Sequence, residues 1–253
     1  MRYQGSKNRL SKFIVPVLQN IIDKNNLTTY IEPFVGSASI IEKINCKNKL
    51  GSDINPELIC LLNYMKDNPL LEIAPEDCSF EHYADVRENR KNNTGKYSQE
   101  YTALIGYAAS YGGRYFDGGY GRHKAGSGSE RNVYKETIKN MREHAPLLKG
   151  TNFINMNYKD YNSNDFNNCL FYCDPPYKGT KGYENGKYSV EYEEYYNWLR
   201  KISKNNYVIC SEYSMPEDFE CIWSKEVNVL QKSDRIVADK AVESLWRCKN
   251  GLY

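Results

Sequence analysis

The tetrapeptide Asp174-Pro175-Pro176-Tyr177 is the part of the sequence best suited to chemistry, because it joins a carboxylate to an aromatic ring. The uncharged, largely apolar residues 169–173 precede it directly and predict a buried strand. The two prolines then end the strand in a stiff loop at its carboxyl end, where open α/β sheets bind ligands. A hydrogen-bond acceptor beside a stacking face suits a reaction at the exocyclic amine of a nucleobase. Alternatively, the prolines only end the strand and Tyr177 packs in the core.

A second candidate site lies where the first predicted strand ends. Glu32 and Phe34 flank a turn of small residues around Gly36, which lets a ligand approach the backbone and the start of a predicted helix, 38–45. Asp53 lies seventeen residues beyond Gly36, at the end of the second predicted strand. An acid at about this distance hydrogen-bonds ribose hydroxyls in nucleotide-binding α/β folds. Asp53 could instead have a capping or turn role at the helix that follows.

The N-terminal segment offers a ring, a flexible glycine and a cation in Tyr3, Gly5 and Lys7, ahead of the first predicted helix. If the ligand carries a carboxylate and one nucleoside, Lys7 could pair with that carboxylate. The alternative is a basic, solvated N-terminus, which is the usual role of an isolated lysine.

The order of predicted elements indicates an α/β fold. A strand–loop–helix–strand unit opens the chain, as in a parallel, doubly wound sheet. The residues 66–150 interrupt this pattern and are mainly helical, with a glycine-rich stretch over 111–131 that predicts a hairpin or loop. The sheet then resumes and closes with an antiparallel edge hairpin. Its later strands are predicted over residues 152–156, 169–173, 206–211, 221–230 and 241–248.

Composition narrows the class of protein. The 253 residues carry a net charge of only +2, so any argument for nucleic-acid binding must be local. Eight cysteines without a C-x-x-C pair, and three histidines, do not predict a metal site. The sequence shows no signal peptide or membrane-spanning run, so we expect a cytoplasmic protein with reduced thiols and no membrane partner.

Four ordered motifs resemble a known family. Tyr-x-Gly-Ser-Lys near the N-terminus, Glu-Pro-Phe-Val-Gly, Ser-Asp-Ile-Asn-Pro and Asp-Pro-Pro-Tyr occur in this sequence in that order. The chain resembles the Dam-type adenine-specific DNA methyltransferases in which the cofactor motifs precede a target-recognition insert and the catalytic motif follows it. The resemblance implies a seven-stranded sheet, and transfer of a methyl group from S-adenosylmethionine to the adenine amino nitrogen in DNA, leaving S-adenosylhomocysteine.

The resemblance also implies roles for individual residues. Asp174 serves both cofactor site and catalysis, the Pro175 carbonyl helps to hold the amine, and Tyr177 lies against the target base. Asp160 or Tyr161 falls near the adenine of the donor. The other donor-binding positions are Tyr3, Lys7, Glu32, Phe34 to Gly36, and Asp53. Two departures matter: the family loop often has glycine where Ser37 to Ser39 stand in this sequence, and the insert has no close match to the recognition hairpin of GATC-specific members.

The insert is where we expect DNA contact. Residues 110–150 hold eight Lys or Arg and four Asp or Glu, so this segment is more positive than the whole chain. Phosphate contact and base reading by arginine are both compatible with this pattern, and a solvated loop is the alternative. The candidate DNA-binding residues are Arg114, Tyr115, Arg122, His123, Lys124 and Arg131.

The sequence therefore predicts two parts: a catalytic, S-adenosylmethionine-binding domain over 1–65 and 151–253, and a DNA target-recognition subdomain over 66–150. The expected partner is double-stranded DNA, and the expected state is a monomer or weak dimer. Three other functions remain open: methylation of adenine in RNA, methylation of the cytosine amine, and DNA binding without activity. A nicotinamide dehydrogenase is disfavoured because the sequence lacks G-x-G-x-x-G.

Overall fold

A seven-stranded sheet runs through the chain in a computed structural model that describes residues 1–124, 130–178, 188–229 and 239–252. Six α-helices are present in those ranges: α1 Ser11–Lys24, α2 Pro56–Asp67, α3 Phe80–Asn92, α4 Gln99–Ala108, α5 Val133–His144 and α6 Tyr192–Ile202. The strands in the same ranges are β1 Thr29–Glu32, β2 Asn48–Asp53, β3 Arg122–Lys124, β4 Glu130–Asn132, β5 Thr151–Asn155, β6 Leu170–Cys173, β7 Tyr207–Glu212, β8 Phe219–Val229 and β9 Asp239–Cys248.

The sheet has the strand order β5-β2-β1-β6-β7-β9-β8. The first five strands in this order are parallel, whereas β9 is antiparallel to β7 and β8 is antiparallel to β9. The α/β class and the antiparallel edge hairpin predicted from the sequence are thereby confirmed. The strand order reverses between β1 and β6, so a crevice is expected at the carboxyl ends of these two strands.

The central position of β6 follows from its composition. All four of its residues are buried, as a strand covered on both faces requires. Alternate side chains serve two different cores: Leu170 and Tyr172 face α1, α2 and the insert helices, whereas Phe171 and Cys173 face α6. This packing fixes the position of the end of β6, and therefore the position of Asp174, which follows it directly.

The residues of the predicted insert do not form a separate core. Buried side chains of α3, α4 and α5 join one hydrophobic cluster with those of α1, α2 and the central strands. The strands β3 and β4 pair as a short antiparallel hairpin, with Arg122 opposite Asn132. The boundaries of the two-part division at 66–150 stay a prediction.

The prediction of a helix over 38–45 is wrong, because only one 3₁₀ turn, Ile41–Lys43, forms there. Lysine side chains take the carbonyls that a longer helix would use: Lys43 Nζ donates to Ser39 O at 2.7 Å, and Lys49 Nζ donates to Ile41 O at 3.2 Å. Ala38 also has a left-handed φ of 59°. The loop after β1 is therefore held by side chains and presents no α-helix N-terminus.

None of the helices within the described ranges combines the length and apolarity needed to cross a membrane.

Candidate active site

A cleft opens where β1 and β6 end, at the reversal of strand order. It contains about 990 Å³ of space between atoms, including space that is open to solvent. The cleft brings together seven of the residues predicted from the sequence. These are Tyr3, Lys7, Glu32, Phe34, Gly36, Asp53 and Asp174.

Asp174 occupies the catalytic end of this cleft. Its Oδ1 lies 2.8 Å from Lys7 Nζ, and both side chains are largely buried. Burial raises the pKa of the Asp174 carboxyl, and the nearby Lys7 ammonium partly offsets that rise. Asp174 is thus a carboxylate whose charge depends on one cation.

Tyr177 lies beside this ion pair rather than in the cleft wall. The Nζ of Lys7 lies 4.4 Å from the centroid of the Tyr177 ring, and the ring of Tyr213 approaches it edge-on at 4.7 Å. The Tyr177 hydroxyl donates a hydrogen bond to Glu243 Oε1. The ring predicted to stack on a base is therefore fixed in orientation by contacts on several sides.

The diproline loop is fixed by hydrogen bonds to neighbouring elements as well as by its two proline rings. Pro175 is buried, and the carbonyl of Pro176 accepts a hydrogen bond from the hydroxyl of Tyr192 in α6. The N–H of Lys178 donates to Glu212 Oε2 at 3.1 Å. These contacts join the loop to α6 and to the end of β7.

Asp53, at the end of β2, also lines the cleft. Its two oxygens accept hydrogen bonds from the N–H groups of Gly36, at 3.2 Å, and Asn55, at 3.0 Å. Burial raises the pKa of the Asp53 carboxyl to about 6, although the backbone donors oppose that rise. Asn55 also caps α2 with its own side chain, accepting from Glu57 N–H and Leu58 N–H. Asp53 fixes the loop while its carboxylate still lines the cleft.

Glu32 ends β1 inside the cleft and is almost completely buried. Its Oε1 accepts a hydrogen bond from the Tyr30 hydroxyl at 2.6 Å. Burial raises the pKa of Glu32 to about 8; the Tyr30 hydrogen bond opposes this, and the charge of Asp174 adds to it. A cationic ligand in the cleft would favour ionisation of this carboxyl.

The segment after β5 reaches the cleft, but not through Asp160 or Tyr161, the two residues predicted from the sequence. Asn157, Tyr158 and Lys159 line it, and the Tyr158 ring lies 5.2 Å from that of Phe34. Tyr161 is turned into the α6 side of the sheet, and its hydroxyl donates to Ser52 Oγ at 3.0 Å.

Asp160 is also occupied locally, because its carboxylate accepts the N–H of Asn157 in a capping box at 3.3 Å. The structure therefore differs from the expectation for Asp160 and Tyr161, whose side chains make these contacts outside the cleft wall. A 3₁₀ turn, Tyr158–Asp160, follows β5, and its first residue, Tyr158, lines the cleft.

Glu243 is a residue of this site that sequence analysis missed. It lies in β9, is 4 % exposed, and approaches Lys7 Nζ to 3.8 Å through Oε1. The available signal was alternation: Glu243 shares a strand face with Leu245, which is completely buried, so the charge faces the core.

Comparison with known proteins decides the family. A family model described as D12 class N6 adenine-specific DNA methyltransferase matches residues 3–185, well over half of the chain. The chain belongs to this family. The matched segment contains the cleft residues from Tyr3 to Asp174 and ends before β9, so Glu243 lies beyond it.

Individual relatives of this family member agree with that assignment. The chain is 27% identical over 199 residues to the type II methyltransferase M.FokI of Planomicrobium okeanokoites, covering 73% of this chain and 30% of that protein. It is 28% identical over 160 residues to a DNA adenine methylase of Vibrio cholerae, covering 58% of this chain and 55% of that protein. A DNA adenine methylase of Haemophilus influenzae is 36% identical over 85 residues, 34% of this chain and 27% of that protein.

The candidate DNA-binding residues of this methyltransferase-family chain lie in different environments. Arg114 is half-buried and donates from Nε to Gln4 Oε1 at 3.1 Å. Arg131 is exposed and forms a two-pronged pair with Glu136, with both N···O distances at 2.6 Å. Arg2 joins the same carboxylate at 2.7 Å. The side chains of Arg122, His123 and Lys124 lie outside the described part of the structure.

Tyr115 differs from the expectation of a DNA-facing ring. It is 3 % exposed and packs 4.5 Å from the ring of Tyr107, with the guanidinium of Arg90 at 4.8 Å. The ring fits there because Gly106 has no side chain: a Cβ at that position would lie 2.3 Å from Tyr115 Cε2. A glycine within the apolar α4 was the available signal for this close packing.

Proposed function

We propose that this chain transfers a methyl group from S-adenosylmethionine to the exocyclic amine of an adenine flipped out of double-stranded DNA. The observation that carries the proposal is the position of Asp174, in the wall of the cleft at the strand-order reversal and 2.8 Å from a largely buried ammonium group. An Asp174 oxygen that accepts a hydrogen bond from one N–H donor can accept one from another. Family membership supports the choice of adenine as the target.

The cleft residues fit the proposed donor. The buried carboxyl of Glu32 and the partly buried carboxyl of Asp53 suit a cationic ligand that also carries ribose hydroxyls. The rings of Phe34 and Tyr158 provide apolar surface for a nucleoside base. At Gly36, which has a φ of 48°, the ring of Tyr3 packs close to the backbone, and a Cβ there would lie 3.2 Å from Tyr3 Cε1. When bound, S-adenosylmethionine supplies an electrophilic methyl group on a positively charged sulfur.

Asp174 and the carbonyl of Pro175 would activate the acceptor. The amine of adenine is a poor nucleophile, because its lone pair is conjugated with the ring. Accepting one N–H at the Asp174 carboxylate and the other at the Pro175 carbonyl favours a tetrahedral nitrogen whose lone pair can attack the methyl carbon. The C–S electron pair leaves with sulfur, and Asp174 is positioned to take the proton that the amine loses. Fixed acceptors of this kind need little reorganisation during reaction.

A base inside a duplex cannot reach this cleft, so the target must be extruded. Tyr177 would stack on the extruded ring, a contact worth about 1–3 kcal/mol. Arg114 and Arg131 would contact the phosphate backbone, with the residues 66–150 acting as the target-recognition part. We expect a monomer or weak dimer, and a DNA substrate favours the cytoplasmic location predicted from the sequence.

The direct test is expression in a host without DNA methylation, followed by single-molecule sequencing of modified adenines and assay of tritium transfer to DNA and RNA. We expect methyladenine at one recurring sequence in DNA. Asp174→Ala should abolish it, whereas Asp67→Ala, at an exposed position at the end of α2, should not. Label confined to RNA, or binding of donor and DNA without any methyladenine, would reject the proposal.

A further inference from the structure

Lys7 makes both contacts that the target adenine is expected to make. Its ammonium lies 2.8 Å from Asp174 Oδ1 and 4.4 Å from the centre of the Tyr177 ring. A flipped adenine needs the same carboxylate for its N–H and the same ring for stacking. Because the Lys7 ammonium lies over the Tyr177 ring, Lys7 has to move before the base can stack there and bring its amine to Asp174.

Glu243 is the nearest alternative partner for Lys7. Its Oε1 lies 3.8 Å from Lys7 Nζ, so a shift of about 1 Å brings the two to the length of a charge-assisted hydrogen bond. The same oxygen already accepts the hydroxyl of Tyr177. Glu243 thus touches both the group that must move and the ring that must stay.

On the basis of the proposed function, we infer that Glu243 is a positioning residue, which receives the Lys7 ammonium when the target amine takes its place on Asp174. During this exchange the hydrogen bond to Tyr177 keeps the stacking ring in place. Asp174 is then free to accept the amine, and Lys7 remains within the cleft.

Charge balance favours this exchange over release of Lys7 into solvent. Asp174 and Glu243 are two buried carboxylates that share one ammonium, and loss of that ammonium would leave two uncompensated charges in a low-dielectric site. Burial raises the pKa of both carboxyls, and Lys7 lowers both. Movement of Lys7 from one carboxylate to the other keeps a counterion beside both.

A purely structural alternative assigns Glu243 only the task of holding the Tyr177 hydroxyl. Two variants separate the roles. Glu243→Gln keeps an acceptor for that hydroxyl but removes the negative charge that attracts Lys7. Tyr177→Phe removes the hydroxyl and keeps the ring, the ammonium and both carboxylates.

The experiment uses the full chain, S-adenosylhomocysteine, and two duplexes: one with the mapped methylation site and one in which the target adenosine is replaced by an abasic site. For Glu243→Gln we expect single-turnover methylation to fall roughly ten- to hundredfold, the equivalent of one hydrogen bond to a charged group. Its affinity for the abasic duplex and for S-adenosylhomocysteine should change less than about twofold, since neither requires Lys7 to leave Asp174. Its affinity for the target duplex should fall, and Tyr177→Phe should be less impaired in transfer.

Equal rates for the two variants, or equal losses of affinity for both duplexes, would overturn the inference. Glu243→Asp keeps the charge, so it should retain more activity than Glu243→Gln; the reverse order would also overturn it. Absence of methylation by the parent chain refutes the proposed function, whereas parent-like transfer by Glu243→Gln refutes only the role of Glu243.

Discussion

Replacing Glu32 with glutamine should stabilise the ligand-free chain, and the gain should grow as pH rises. Glu32 is buried at the end of β1, and its pKa is raised from 4.5 to about 8, mainly by burial. The folded chain therefore binds this proton more tightly than the unfolded chain does. The stability that depends on this proton is fully present below about pH 4.5 and is lost as pH rises to about 8.

The size of the effect follows from the shift. A change from 4.5 to about 8 corresponds to about 5 kcal/mol, at about 1.4 kcal/mol for each pH unit. Because the cleft is partly open to solvent, we expect the measured difference to be a few kcal/mol. Glutamine keeps an acceptor for the Tyr30 hydroxyl, so the hydrogen bond can persist while the titration disappears.

Urea unfolding of Glu32→Gln and the parent chain, measured from about pH 5 to pH 9, tests this reasoning. The difference in the free energy of unfolding should increase to about pH 8 and then level off. Glu72→Gln, at an exposed position, is the control for loss of a carboxylate without burial. If the difference in the free energy of unfolding between Glu32→Gln and the parent stays constant or falls as pH rises, the raised pKa assigned to Glu32 is refuted.

Three further changes test other parts of the structure. Asp53→Asn should lower the affinity for S-adenosylhomocysteine about tenfold or more by calorimetry. Arg131→Gln should weaken DNA binding and reduce the slope of log K against log salt by about 0.9; an unchanged slope places the phosphate contact elsewhere. Gly113→Ala should cost more stability in urea unfolding than Gly119→Ala: both glycines have positive φ, but only at Gly113 would a Cβ meet backbone, at 2.6 Å.

The sequence was sufficient for the parts of the site that depend on local pattern. Each carboxylate at Glu32, Asp53 and Asp174 ends or directly follows a parallel strand, and a short apolar run bounded by turn residues predicts such an end. Because parallel strands place their carboxyl ends at one edge of the sheet, the three acids meet without further information. The D12 family match agrees with this reading of the motifs.

The parts that were missed depend on contacts between distant segments. Glu243 reaches the site because β9 pairs antiparallel with β7, in a register that places Ser244 opposite Glu212. Alternation indicated which face Glu243 occupies, but only the register indicates which end of the sheet it reaches. Tyr115 likewise looked like part of a solvated glycine-rich loop, and its burial depends on the space left by Gly106 in another element.

Lys7 was predicted only in part: the motif located it in the cleft but did not identify the carboxylates with which it pairs. Two largely buried carboxylates, Asp174 and Glu243, share this one ammonium, and a third, Glu32, lines the same cleft. Such an excess of negative charge favours a cation in the cleft. In the proposed reaction, methyl transfer removes the positive charge of sulfur, so we expect the carboxylates to hold the donor more strongly than the product. We therefore expect the preference for S-adenosylmethionine over S-adenosylhomocysteine to rise with pH as Glu32 ionises near pH 8, and to lose that dependence in Glu32→Gln; a preference that does not change with pH would show that Glu32 does not contribute to it.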